Sequence, residues 1–208
     1  VARKKRKGEY HHGNLRAELI ECGLRLIQEK GIRALTLREI GSRLGVSRSA
    51  PYRHFADKAA LLAAISEAGF TAFGDALQAA RDGAEPNFAS RMEAMGAAYV
   101  RFANEHRAHF EAMFSEQLEP DCPAAIAGQR AFGILEQTIR EGQASGDVRP
   151  GDPILLAKGV WAMVHGVSML RFDAAFVRVA TGILLNGIQS PLPSIVSSLR
   201  LSPAAVNR

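Results

Sequence analysis

Between Thr36 and Phe55 the chain sets out side chains suited to reading DNA. Arg48, Ser49, Ala50 and Arg53 take the outward positions of a short helix expected from Ser47 to about His54. An arginine can bond both acceptors of a guanine edge, which discriminates between bases by ~1–3 kcal/mol. Ala50 can at most touch a thymine methyl. Tyr52, His54 and, beyond the segment, Lys58 carry donors suited to phosphate oxygens. The chemistry this set implies is recognition of a DNA duplex, not bond making.

Those side chains need a frame, and the surrounding sequence predicts one. Helical periodicity dominates the chain and no alternating strand stands out. A first helix should begin at Asn14, a favoured N-cap, bury Leu15, Leu19, Cys22, Leu26 and Ile27, and stop at Gly31. Thr36-Leu37-Arg38-Glu39 fits a capping box, with the Thr36 hydroxyl on the Glu39 amide and the Glu39 carboxylate reaching back. The second helix is short, buries Leu37, Ile40 and Leu44, and ends at Gly45. Gly45 permits a sharp turn with positive φ, Val46 plugs the core beneath it, and Ser47 caps the third helix. Pro51 lies within the first turn of that helix, where its cost should be small. Asp57 caps a long fourth helix carrying Leu61, Leu62, Ile65 and Phe73, which fades near Asp82-Gly83-Ala84-Glu85-Pro86. Two short capped helices about a glycine turn have the spacing of a helix-turn-helix.

The charge distribution agrees. The 208 residues carry 26 Lys and Arg against 21 Asp and Glu, a net +5. Residues 1–55 hold 13 basic and 5 acidic residues, a balance of +8, while the remainder holds 13 and 16, or −3. The positive excess therefore sits around the predicted motif, as a nucleic-acid-binding end requires. Arg3, Lys4, Lys5, Arg6 and Lys7 form a basic arm, expected to be flexible without DNA and to lie in or along the minor groove with it. The 47% hydrophobic content excludes a wholly disordered chain. No uninterrupted apolar run approaches the ~20 residues of a membrane span, and no apolar stretch follows the basic start. Cys22 and Cys122 lack metal-ligand spacing. A soluble cytoplasmic protein is expected.

Tyr10-His11-His12-Gly13-Asn14-Leu15-Arg16, Leu35-Thr36-Leu37-Arg38-Glu39-Ile40, Gly45-Val46-Ser47 and Tyr52-Arg53-His54-Phe55, followed by Lys58, Leu61 and Leu62, together resemble the N-terminal domain of TetR-family transcriptional regulators. The resemblance covers roughly residues 13–73. It implies an all-helical homodimer in which three helices bind DNA and a fourth leads to a C-terminal ligand-binding and dimerisation domain. On this chain Tyr52, His54 and Lys58 would be phosphate contacts, and Arg48, Ser49, Ala50 and Arg53 would face the bases, with Thr36, Arg38 and Ser47 in the same motif. Many family members carry Thr where this chain has Pro51, so one backbone contact is in doubt.

After Pro86 the composition turns to Ala, Phe and Met on helical spacing, with helices expected at about 88–105, 107–115, 123–145, 153–171 and 173–188. Trp161-Ala162-Met163-Val164-His165-Gly166 resembles a C-terminal domain marked by Trp, His and Gly in one branch of the family. Tyr99, Phe102, His106, Phe110, Met113, Phe114, Trp161, His165 and Met169 are candidates to line a pocket for a small lipophilic or aromatic effector. Such a stripe is more often plain core than pocket, and His165 fits a hydrogen-bonded core histidine. Gly159, Gly166, Phe176 and Gly182 are candidates for a dimer seam, where small residues let helices approach closely. His106 and His109 stand at i, i+3 without an evident third metal ligand. No GxSxG, Walker loop or GxGxxG is present, so no catalytic, metal or cofactor site is expected.

The sequence therefore predicts an all-α protein of about nine helices. Its expected parts are a basic arm (1–12), a helix-turn-helix domain (13–73), a ligand-binding and dimerisation domain (74–190) and a short helix or loose tail (191–208). The expected function is a ligand-released repressor that binds a pseudo-palindromic operator as a homodimer. A ligand-dependent activator on the same scaffold is the second reading. An α-helical ligand-binding protein or enzyme with a vestigial DNA-binding end is the third.

Overall fold

The computed structural model describes residues 14–115, 119, 121–170, 179, 182–183 and 186–189. Among them there are only helices and turns: α1 (Leu15–Lys30), α2 (Leu37–Leu44), α3 (Lys58–Gly83), α4 (Phe88–Glu105), α5 (Arg107–Met113), α6 (Pro123–Ser145) and α7 (Pro153–Leu170). Two 3₁₀ turns, Ile32–Ala34 and Pro51–Arg53, join the first elements. The all-α expectation holds. The basic arm, Phe176 and the tail from 191 lie outside the described residues, as does most of the helix expected over 173–188.

The chain divides into two compact units. One takes the chain up to Thr71 together with His106–Ala127; the other takes Ala72–Glu105 and the chain from Gly128.

The first unit is built on the stripe of α1. Leu19, Leu26 and Ile27 pack with Leu35, Leu37 and Ile40 and with Leu61 and Ile65 of α3, all essentially without exposure. Burial stabilises each such side chain by about 1.5–3 kcal/mol. Ala112 of α5 belongs to the same core. The Ser66 hydroxyl, itself buried, donates to the Ala112 carbonyl at 3.1 Å. The Ile32 amide donates to the Glu111 carboxylate at 3.3 Å. A helix 79 residues further along the chain thus closes the first 3₁₀ turn.

Three local expectations need correction. Asn14 opens α1 without a side-chain cap; only its carbonyl is used, accepting from the Glu18 amide. The Thr36 hydroxyl does accept from the Glu39 amide at 3.1 Å, but the Glu39 carboxylate does not reach back. It accepts instead from Arg43 Nε at 3.2 Å and lies 3.7 Å from the Lys30 ammonium. The third helix is not an α-helix: it is a turn followed by 3₁₀ geometry.

In the second unit, α4 packs against α7. Met92, Met95, Tyr99 and Phe102 of α4, Leu135 and Ile139 of α6, and Ala157 and Val160 of α7 are buried. Glu141 of α6 takes the Arg81 guanidinium through both oxygens, at 2.6 and 2.8 Å, and Arg91 at 3.0 Å. This holds its carboxyl below the usual range, the Arg81 bond contributing most.

By length and composition, α3 and α7 are each apolar enough to cross a membrane, although charged residues interrupt both. In α3 that character goes into cores, with 56% of its apolar stretch buried. In α7 only 28% is buried, leaving Leu155, Met169 and Leu170 well exposed.

Candidate nucleic-acid interface

The reading segment is held from two sides. Behind it, Gly45 adopts φ 67° and ψ 25°, a left-handed conformation that costs a residue with a Cβ about 1–2 kcal/mol. The amides of Gly45 and Val46 then close the end of α2, onto Ser42 and Gly41. Ahead of it, the Asp57 carboxylate accepts from the Ala60 amide at 2.8 Å and caps α3 as expected. Underneath, Pro51 and Phe55 are buried, and the Arg16 guanidinium lies 5.4 Å from the centre of the Phe55 ring.

This frame leaves Arg48, Ser49, Tyr52, Arg53 and His54 exposed and Ala50 partly exposed. Ser47 is exposed too, its hydroxyl 3.5 Å from that of Ser49; its expected side-chain cap is replaced by a backbone contact, the Ala50 amide on its carbonyl. Arg38 is exposed on α2. Arg43 is committed elsewhere, to Glu29 at 2.7 Å and to Glu39. The larger contribution, from Glu29, raises its already high pKa.

Lys58 differs from expectation. Its ammonium donates to the Ile32 carbonyl at 3.1 Å, so it braces the first 3₁₀ turn besides standing beside the reading segment. With Glu111 on the amide of the same residue, Ile32 is held from both ends. Neither long-range bond has a local sequence signal.

The candidate pocket residues divide between the two units. His106, Phe110, Met113 and Phe114 lie in the first, where Phe110 and Phe114 meet edge-to-face at 4.9 Å. Met113 and His109 pack over Gly69, where an added Cβ would come within 2.8 Å of the Met113 sulfur. Burial, then the neighbouring His106 charge, pushes the His109 pKa below its usual value.

Tyr99, Phe102, Trp161, His165 and Met169 lie in the second unit. There the Tyr99 hydroxyl accepts from Trp161 Nε1 at 3.1 Å and stands 2.9 Å from His165 Nδ1. The indole N–H, the phenol oxygen and the imidazole nitrogen thus form one polar chain. Phe73 and Phe102 stack against it or beside it, with Phe73 4.9 Å from the Tyr99 ring. Burial pushes the Tyr99 phenol far up and the His165 imidazole down. Met169 is exposed, outside this cluster.

Of the dimer candidates, Gly159 and Gly182 are exposed and Gly166 is half-buried. A Cβ at any of them would meet nothing within 4 Å. Cys22 is buried in the first core; the Cys122 thiol accepts from the Ala125 amide at 3.3 Å at the start of α6.

A capped α2, a left-handed glycine turn and a polar reading segment with a buried floor define a DNA-binding helix-turn-helix protein. Residues 19–65 match the family profile of bacterial regulatory proteins of the tetR family, and residues 92–183 match that of a tetracyclin repressor-like C-terminal domain. An HTH-type transcriptional regulator of Mycobacterium tuberculosis, Rv1816, is 26% identical over 146 residues, which cover 67% of this chain and 62% of the relative. The chain thus spans under two thirds of that relative's length. A solved protein of unknown function from Rhodococcus sp. RHA1 is 31% identical, with a TM-score of 0.78 over 88% of this chain and all of the other. A tetR-family regulatory protein from Rhodococcus RHA1 shares the fold at 23% identity and a TM-score of 0.69, over 85% and 97% of the two chains. The chain belongs to the TetR family of transcriptional regulators.

Proposed function

We propose that this regulator is a repressor that acts in the cytoplasm as a homodimer on a pseudo-palindromic operator and leaves it when a small effector binds. One observation carries the reading: Arg48, Ser49 and Arg53 stand exposed, with Tyr52 and His54, over a floor of buried Pro51 and Phe55. The arginines would read base edges, and Tyr52, His54 and Lys58 would hold phosphates. Two copies would enter successive major grooves about 34–36 Å apart.

The dimer reading is supported by α7. Leu155, at 66% exposure, Met169 and Leu170 share that helix with the open Gly159 and Gly166. Among the neighbouring described residues, Gly182 and Ile183 are exposed as well. An apolar helix with small residues suits a seam between two copies. The effector reading is supported by the Trp161–Tyr99–His165 chain set among aromatic rings: apolar walls with a few ordered polar groups suit a small lipophilic or aromatic molecule. Release follows if the effector prefers a conformation with the wrong separation between reading segments, since it shifts the equilibrium by its differential affinity.

Mobility shift on genomic fragments at several salt concentrations tests the reading. A discrete shift on few fragments, weakening steeply with salt, is expected. Absence of both specific and non-specific binding at low salt would reject it. Transcription from the bound promoter, measured with and without the protein, separates repression from activation.

A further inference from the structure

The reading segment ends on Phe55, and the side chain over that ring comes from α1. Phe55 is buried in the core of the first unit. The Arg16 guanidinium, from the first turn of α1, lies over the ring, 5.4 Å from its centre. This is within the ~6 Å at which an aromatic face attracts a cation. Arg16 itself is exposed.

The charge of Arg16 is not neutralised by the protein around it. Arg25 of the same helix is paired with Glu21, and Arg43 of α2 with Glu29 and Glu39. Among the described residues no carboxylate stands within ion-pairing distance of Arg16. The two residues before Phe55 are the exposed Arg53 and His54. The stack therefore adds a further basic group to the end of the reading segment, where an anion would be favoured.

Arginine suits both contacts at once. Its guanidinium can lie on an aromatic face while its N–H donors point outward in their own plane, in a fork that matches two phosphate oxygens. Stacking also restricts the side chain before DNA arrives, so less conformational freedom is lost on contact.

We propose that Arg16 binds a backbone phosphate beside the end of the reading segment, held ready by Phe55, so that α1 contributes to the DNA interface as well as to the core. The inference rests on the DNA-reading roles proposed above. A contact of this kind fixes the position of the protein on the duplex and carries no base preference.

The test uses the full chain and a labelled duplex of mixed sequence, with binding measured at several salt concentrations for the native chain, Arg16→Gln and Arg16→Lys. Arg16→Gln is expected to reduce the salt slope by about 0.9 for each bound copy of the chain. Sequences enriched from a randomised duplex pool should be the same as for the native chain. Arg16→Lys, which keeps the charge and gives up the planar fork, should keep the slope and bind more weakly at every salt concentration. A folded Arg16→Gln with the native slope overturns the inference, even if it melts at a lower temperature, because the residue would then serve packing alone. So does a changed base preference with an unchanged slope. Should Arg16→Gln not fold, modification of the native chain by phenylglyoxal, read by mass spectrometry, decides: protection of Arg16 by the duplex is expected, and equal reactivity with and without it overturns the inference. If the native chain binds no duplex at low salt, the DNA-reading roles fall and this inference with them. A steep native slope left unmoved by Arg16→Gln removes this inference alone.

Discussion

At the residue scale, Lys58 is bonded to the Ile32 carbonyl, and the phosphate contact proposed for it would pull its ammonium in another direction. Its bond to the Ile32 carbonyl is part-buried and charge-assisted, a class that contributes about 1.5–3 kcal/mol. Its place beside the reading segment suits a phosphate as well. Lys58→Ala should weaken binding to all DNA sequences alike, reduce the salt slope by about 1, and lower the thermal midpoint of the free protein. A variant with weakened binding but unchanged melting would show that the Ile32 bond contributes nothing.

His165 carries a pH dependence. Burial lowers its pKa in the folded state from the ordinary 6.5. Between the lowered value and 6.5 the unfolded chain binds more protons than the folded one, so stability rises with pH there. The contribution is complete above about pH 6.5 and is lost as pH falls through the folded pKa. Melting followed from neutral to mildly acidic pH should therefore fall less steeply for His165→Gln than for the native chain. His109, lowered by the same cause, keeps the slope from vanishing in that variant.

At the element scale, the helix-turn-helix shows what local sequence can and cannot specify. The Thr36 cap, the Gly45 turn and the Asp57 cap were all legible, because each is a bond or a backbone angle decided within three or four residues. The Glu39 reach-back was not: two basic side chains, one on α1, compete for its carboxylate and lower its pKa. Thr36→Ala should cost about 1 kcal/mol, read as a shift of the urea midpoint, with DNA base preference unaltered. An altered preference would mean that the cap also positions the reading segment.

The third helix was legible as an element and misread as a geometry. Pro51 was expected to be cheap in a first turn, and it does not break the segment. It changes the winding, because the only oxygen its amide would have served finds another donor one residue earlier.

At the scale of the whole molecule, α7 is the element the single chain explains least. A helix of this apolarity with only 28% of its apolar stretch buried needs another surface. With a second copy as that surface, Leu155→Glu should shift the protein from dimer to monomer in light scattering. Operator affinity should fall with it, because each half-site is then bound separately. A dimer that survives Leu155→Glu and Met163→Glu together would place the seam elsewhere.

The sequence alone determined the all-helical class, the ends of α1, α2 and α3 and the exposed side chains of the reading segment, and its motifs carried the resemblance to the family. The helices and their ends follow from periodicity and caps, which are short-range and repeat along the chain. Only the tertiary structure decided that α5 packs into the DNA-reading unit through Glu111 and Ala112, that Lys58 braces Ile32, and that Pro51 sits on Gly41. It also divided the expected pocket residues between two units and joined Trp161, Tyr99 and His165 in one polar chain. These are contacts between residues distant in sequence, where a donor or a cavity filler is chosen by packing geometry that no local pattern encodes.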